Sequence, residues 1–161
     1  MILQGELKDK KNSGFTLIEL LIVISVTVIL AVIVVPIYNN LQVSSQLNEN
    51  SSQIIQTIRI AKERSLAGLN DQQHGVKLQT DRYILYQGSS YSLRDTDYDR
   101  EIIFDNILSL SLSLNGTGEI DDINFSIGLG MPNKTGTIDL IHDVKGTRGI
   151  TINEMGIIKE E

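Results

Sequence analysis

Glu19 stands almost alone as an ionisable group in an apolar run. From Phe15 to Val35 every residue is apolar except Thr16, Glu19, Ser25 and Thr27. A carboxylate placed in lipid is costly, so its presence calls for an explanation. Three accounts fit the residues. Glu19 is close to the start of the run and could snorkel to headgroups. It could be neutralised by a proton. Or it could meet a cation inside the membrane, and cleavage of the chain between Gly14 and Phe15 would create one, the free α-amine of Phe15. That amine would lie one helical turn from Glu19. In subunits stacked with an axial offset, the amine of one could meet the carboxylate of the next, which offsets both desolvation penalties and fixes a register.

Other chemistry is sparse. Asp95, Asp97 and Asp99 are spaced like the first three ligands of an EF-hand loop, and oxygen ligands at that spacing suit calcium. The pattern then fails, with Arg100 where glycine is needed and Asn106 where a bidentate glutamate is needed. A solvated acidic loop between strands, balanced by Arg94 and Arg100, is the reading preferred here, with no metal or other cofactor expected and calcium as the single candidate. The two histidines are His74, at a helix-to-strand turn, and His142, beside Asp143. The chain lacks G-x-S-x-G, H-E-x-x-H and a Walker loop, and it has no cysteine, so no enzyme is expected and both histidines read as satisfied surface residues. The chain carries 14 Lys and Arg against 20 Asp and Glu. Its densest basic group, Arg59, Lys62 and Arg64, is interrupted by Glu63. Nucleic acid is therefore not an expected partner, except through that short face or the "KGTRG" loop.

These residues must be positioned by elements that the pattern makes visible. The run over residues 15–36 is long enough, at about 1.5 Å per residue, to cross a hydrocarbon core ~30 Å thick. Lys8, Lys10 and Lys11 precede it and outweigh Glu6 and Asp9, which holds the N-terminus in the cytoplasm and puts the rest of the chain outside. An ordinary secretory signal has a shorter run and a small-residue cleavage site after it. Pro36 should bend the helix without ending it. Apolar residues then recur at Leu47, Ile54, Ile58, Ala61 and, half a step off, Leu66, the spacing of an amphipathic helix over residues 37–70 that stops at Gly68 or Asn70. Together these make one helix of about 50 residues, the first half transmembrane. Beyond residue 71 the period becomes two. "GVKLQTDRYILYQG" reads as a hairpin, Leu108, Leu110, Leu112 and Leu114 alternate with serine as a half-buried strand, and "GTRGITINEMGIIKEE" reads as a final hairpin turning at "NEMG". The fold class is α+β, a long N-terminal helix packed on a small antiparallel β-rich domain over residues 71–161.

The stretch "GFTLIELLIVISVTVILAVIVVP", residues 14–36, resembles the N-terminal segment of type IV pilins and the pseudopilins of type II secretion. The matching positions are Gly14 before the cut, Phe15 as the new N-terminus, Glu19 at mature position five and Pro36 at mature position twenty-two. The resemblance implies that residues 1–14 are a leader, that a prepilin peptidase removes it and N-methylates Phe15, and that Glu19 pairs with the Phe15 amine of an adjacent subunit. The implied partners are that peptidase, other pilins or pseudopilins in a helical filament, and the cytoplasmic membrane, in which the precursor is single-pass before it enters a pilus or pseudopilus. "AKERSLAGLNDQQHGV" and the closing "GITINEMGIIK" are similar to the GspH/FimT type of minor pseudopilin, over roughly residues 58–159. The function implied is a minor pilin or pseudopilin, a structural subunit of a type IV-like filament of a secretion, pilus or competence system. The alternative is a DNA-capturing or adhesive minor pilin at a filament tip.

Overall fold

The computed structural model describes residues 14–104, 107–143 and 146–161, without the side chains of residues 34–37 and 39. The leader over residues 1–13 and the side chain of Pro36 lie outside the described residues. The chain divides into two units, Met1–Asn39 and Asn40–Glu161, and one helix, α1 (Leu17–Leu66, 50 residues), contributes to both.

In the first unit the apolar side chains of α1 face outward on every side. Leu17, Ile18, Leu20 and Leu21 through Val32 and Ile33 are each half exposed or more. Among the described residues no helix is long and apolar enough to cross a membrane.

The second unit is built on the other half of α1. Leu47, Ser51, Ile54, Ile58, Ala61 and Ser65 form a buried stripe along one helix face. The stripe ends on Ser65, whereas the sequence pointed to Leu66, which is 42% exposed. Serine is accepted there because its hydroxyl takes the N–H of His74 at 2.8 Å. Gly68 (φ 61°) ends the helix in the left-handed region.

Two antiparallel sheets complete this unit. The first has the order β3-β2-β1-β5, from β1 (His74–Leu78), β2 (Arg82–Gln87), β3 (Asp95–Ile103) and β5 (Asp122–Phe125). The second has the order β4-β6-β7-β8, from β4 (Leu108–Gly116), β6 (Lys134–His142), β7 (Thr147–Ile152) and β8 (Ile158–Glu160). The expected β1–β2 hairpin is present, with Val76 opposite Leu85 and Leu78 opposite Tyr83. So is the final one, β7–β8, with Ile152 opposite Ile158. One core joins the helix stripe to Val76, Leu78, Tyr83, Leu85, Ile123 and Phe125 of the first sheet and to Leu108, Leu110, Ile138, Leu140 and Ile150 of the second.

The acidic run Asp95–Glu101 is not a loop, as its composition suggested, but part of β3. The register with β2 passes from Leu85–Arg100 to Gln87–Asp95, so the residues between Asp95 and Arg100 bulge out of the ladder. An edge strand tolerates this charge because one of its sides meets water.

Candidate assembly site

Thr16 and Glu19 form a reciprocal cap at the start of α1. The backbone N–H of Thr16 and its hydroxyl both donate to Glu19 Oε2, each at 2.8 Å, and the Glu19 N–H faces Thr16 Oγ1 at 3.3 Å. This is the capping box T-x-x-E. The motif is legible in residues 16–19, where Thr16 is polar at the first position and Glu19 acidic at the fourth. The cap turns the carboxylate back toward Phe15, which is 90% exposed. Both Thr16 donors fall on one carboxylate oxygen, so among the described residues Oε1 is left for a donor from elsewhere. Gly14 precedes the helix, and a side chain added there would meet nothing within 4 Å among the described residues.

The remaining candidates disperse. Asp99 pairs with Arg94 at 2.7 Å, while the Asp95 carboxylate accepts the N–H of Asp97 at 3.1 Å. Among the described residues no three His, Cys, Asp or Glu side chains converge as a metal site, and Asn106 lies outside them. His74 and His142 are both buried, in different sheets, which corrects the expectation of surface histidines. Burial, with the Arg64 charge second, pushes the His74 ring below its ordinary pKa. His142 faces Gln46 of α1 at 3.2 Å. Two of the three cations in the basic group on α1 brace the last hairpin. Arg59 donates to the Ile158 carbonyl at 3.4 Å, and Lys62 donates to those of Met155 and Gly156, each at 2.9 Å. In the "KGTRG" loop, Lys145 lies outside the described residues and Arg148 is 3.9 Å from Glu160.

The second unit also holds a polar network that the pattern of apolar residues concealed. Residues of β1, β2 and β5 that point away from the main core are buried too. The Tyr86 hydroxyl donates to Asp122 Oδ1 at 2.5 Å and accepts from Asn124 Nδ2 at 2.9 Å. Burial first, then the Asp122 contact, raises the Tyr86 pKa, and burial raises that of Asp122. Lys77 lies close by, with its ammonium 2.6 Å from both Glu119 and Asp121. Burial works against that charge, but the two carboxylates outweigh it and hold the Lys77 pKa above its usual value. Asp122, Asn124, Glu119 and Asn133 line a cleft of about 590 Å³. Serines and carboxylates line the cleft without a histidine among the described residues, and the network beneath it ties β5 to the sheet.

With this geometry in hand, known proteins give two points of comparison. Residues 9–35 match the family model of the prokaryotic N-terminal methylation motif. The fold is similar to that of the minor pseudopilin EpsH from the type 2 secretion system of Vibrio cholerae, with a TM-score of 0.54 and 13% sequence identity over 72% of this chain and 96% of that one. No curated protein sequence matches the chain.

Proposed function

We infer that this chain is a minor pilin or pseudopilin, a structural subunit of a type IV-like filament. The observation that carries the reading is the union in one chain of the methylation motif at residues 9–35 with a pseudopilin-like domain built on the same helix. Details of the first unit support it. A helix whose apolar residues are exposed all round requires lipid or neighbouring helices as its surroundings. A subunit that begins in the cytoplasmic membrane and ends in a bundle of such helices meets both in turn. Among the described residues nothing packs against Gly14, which is compatible with a glycine kept for the prepilin peptidase.

In this reading the peptidase cuts between Gly14 and Phe15 and methylates the new amine. The capping box holds Glu19 Oε2 on the subunit's own Thr16 and presents Oε1 to the Phe15 amine of an adjacent subunit. A carboxylate with part of its hydrogen bonding already met enters lipid at lower cost than a bare one. The exported domain serves as a structural module, with no catalytic role.

Co-expression with a prepilin peptidase followed by intact-mass analysis tests the reading. The expected mature mass lacks residues 1–14 and gains one methyl group. Cleavage after Val35 would instead identify an ordinary secretory signal and overturn the assignment.

A further inference from the structure

Four strands form the outer edges of the two sheets, and three of them are blunted. β3 is charged at Asp95, Asp97, Asp99, Arg100 and Glu101 and broken by its bulge. β5 is four residues long, and its outer side is taken by the segment before β6. Asn133 bonds the Asn124 N–H through its side chain and the Asn124 carbonyl through its backbone, and Pro132 bridges Phe125. β8 has three residues, with Arg59 on the Ile158 carbonyl and Ser51 on the Glu160 carboxylate. Charge, bulges, short length and covering segments are the usual devices against unwanted strand pairing.

β4 has none of them beyond Leu110, where the segment at Thr80 covers its edge. It is nine residues long, uncharged, without proline, and pairs regularly with β6 from Leu108 to Gly116. The direction of its backbone groups follows from two contacts. Ile107 accepts from Asp143 just beyond the β6 ladder, whereas the Leu110 N–H donates away from β6, to the Thr80 carbonyl at 3.1 Å. Even-numbered residues of β4 therefore turn their N–H and C=O outward. Past the Thr80 contact, Leu112 and Leu114 do so with no partner among the described residues, and Ser111, Ser113 and Asn115 beside them are exposed.

We propose that this edge pairs with β4 of a second copy of the chain, antiparallel about a two-fold axis at Ser113. Groups repeating every second residue along an extended edge are satisfied together by another extended backbone. The sequence Ser111-Leu112-Ser113-Leu114-Asn115 is nearly its own mirror about Ser113, as an isologous contact requires. Leu112 meets Leu114 of the copy in reciprocal hydrogen-bonded pairs, so leucine continues the leucine face and serine the polar face. Uncharged side chains leave no repulsion across the axis. The pairing stands independently of the filament reading, because it rests on the domain's edge and not on the N-terminal motif.

The absence of cysteine makes the test direct. On the axis, Ser113 would face its counterpart in a non-hydrogen-bonded pair, whose close approach suits a disulfide. The full chain, co-expressed with prepilin peptidase, is oxidised in its membranes as Ser113→Cys or, as a control on the exposed β3 edge, Thr96→Cys. The expected result is a disulfide of twice the chain mass forming about tenfold faster in Ser113→Cys, equivalent to ~1.4 kcal/mol of pairing. Adding Ser111→Lys and Asn115→Lys sets like charges opposite each other and should return the rate to the control value, with an unchanged thermal melt. Equal rates in the two cysteine variants, insensitivity to the lysines, or an adduct of any other mass would overturn the proposal.

Discussion

Replacing Tyr86 by phenylalanine removes a single oxygen from the network behind the first sheet. That oxygen donates to Asp122 Oδ1 and accepts from Asn124 Nδ2. Asn124 keeps its second bond, to the Gly88 carbonyl at 2.9 Å, so its loss is partial. Asp122 is 2% exposed and retains the Tyr91 N–H at 3.3 Å, but its Oδ1 is stranded. A hydrogen bond to a charged group contributes about 1.5–3 kcal/mol, and a buried acceptor left unmet costs a similar amount, so Tyr86→Phe should destabilise the domain by roughly 2–3 kcal/mol. For a unit of this size that is roughly 6–12 °C in Tm. The effect should depend on pH. Burial raises the Asp122 pKa in the folded state above its ordinary 3.8, so the group favours folding below that value and loses this contribution as pH rises through the folded pKa. The Tyr86 hydroxyl steadies the charged form, so its removal should cost most at neutral pH and least below about pH 4. Urea unfolding of residues 40–161, followed by circular dichroism at both pH values, measures it. In the cycle with Asp122→Asn, a coupling of about 0.5–3 kcal/mol is expected. A loss under ~0.5 kcal/mol, or one identical at the two pH values, would refute the reasoning.

Other outcomes follow from residues already placed. Ile58→Ala, at a fully buried position of the helix stripe, should cost about 2–5 kcal/mol in urea unfolding. Burial keeps His74 neutral in the folded state, so stability should fall as pH drops below about 6.5, and His74→Leu should flatten that slope in a pH series of thermal melts. Glu19→Val should leave the leader cleaved and the protein in the membrane fraction, while its crosslinking near Thr16 to a neighbouring pilin helix falls; equal crosslinking would remove the pairing role of the acid. Calcium should leave the melting temperature of the domain unchanged, because Arg94 and Lys77 already supply cations to Asp99 and to Glu119 and Asp121.

The helix, its stop at Gly68 and the two hairpins were legible because each rests on a local period or a single backbone requirement. Leu47, Ile54, Ile58 and Ala61 repeat at helical spacing, and Val76, Leu78, Tyr83 and Leu85 alternate. Residues with mixed chemistry carry no such signal. Ser51 and Ser65 are polar by type yet fully buried, since each hydroxyl finds a partner outside the helix. The acids of β3 read as a loop because composition records charge and not ladder position. Lys77, Asp122 and Asn124 alternate with core residues, as a solvated sheet face would, and their burial arises from the Tyr91 segment and the β4–β5 connection, which no local pattern foretells. At the N-terminus Glu19 was conspicuous, while Thr16 was visible only as half of a pair.

The stripe from Leu47 to Ser65 has a mechanical consequence. Those residues span about 27 Å of helix at ~1.5 Å per residue. A pull along α1 within this stretch runs parallel to the stripe. Leu47, Ile54, Ile58 and Ala61 then bear the load side by side, in shear, and no single contact gives way before the rest. At the far end Gly128 donates to the Ser65 carbonyl at 3.0 Å and Lys62 grips the turn before β8, so the tension is handed to both sheets and not concentrated in the last turn. A helix anchored this way passes axial tension into the domain along its whole seat and not at one point.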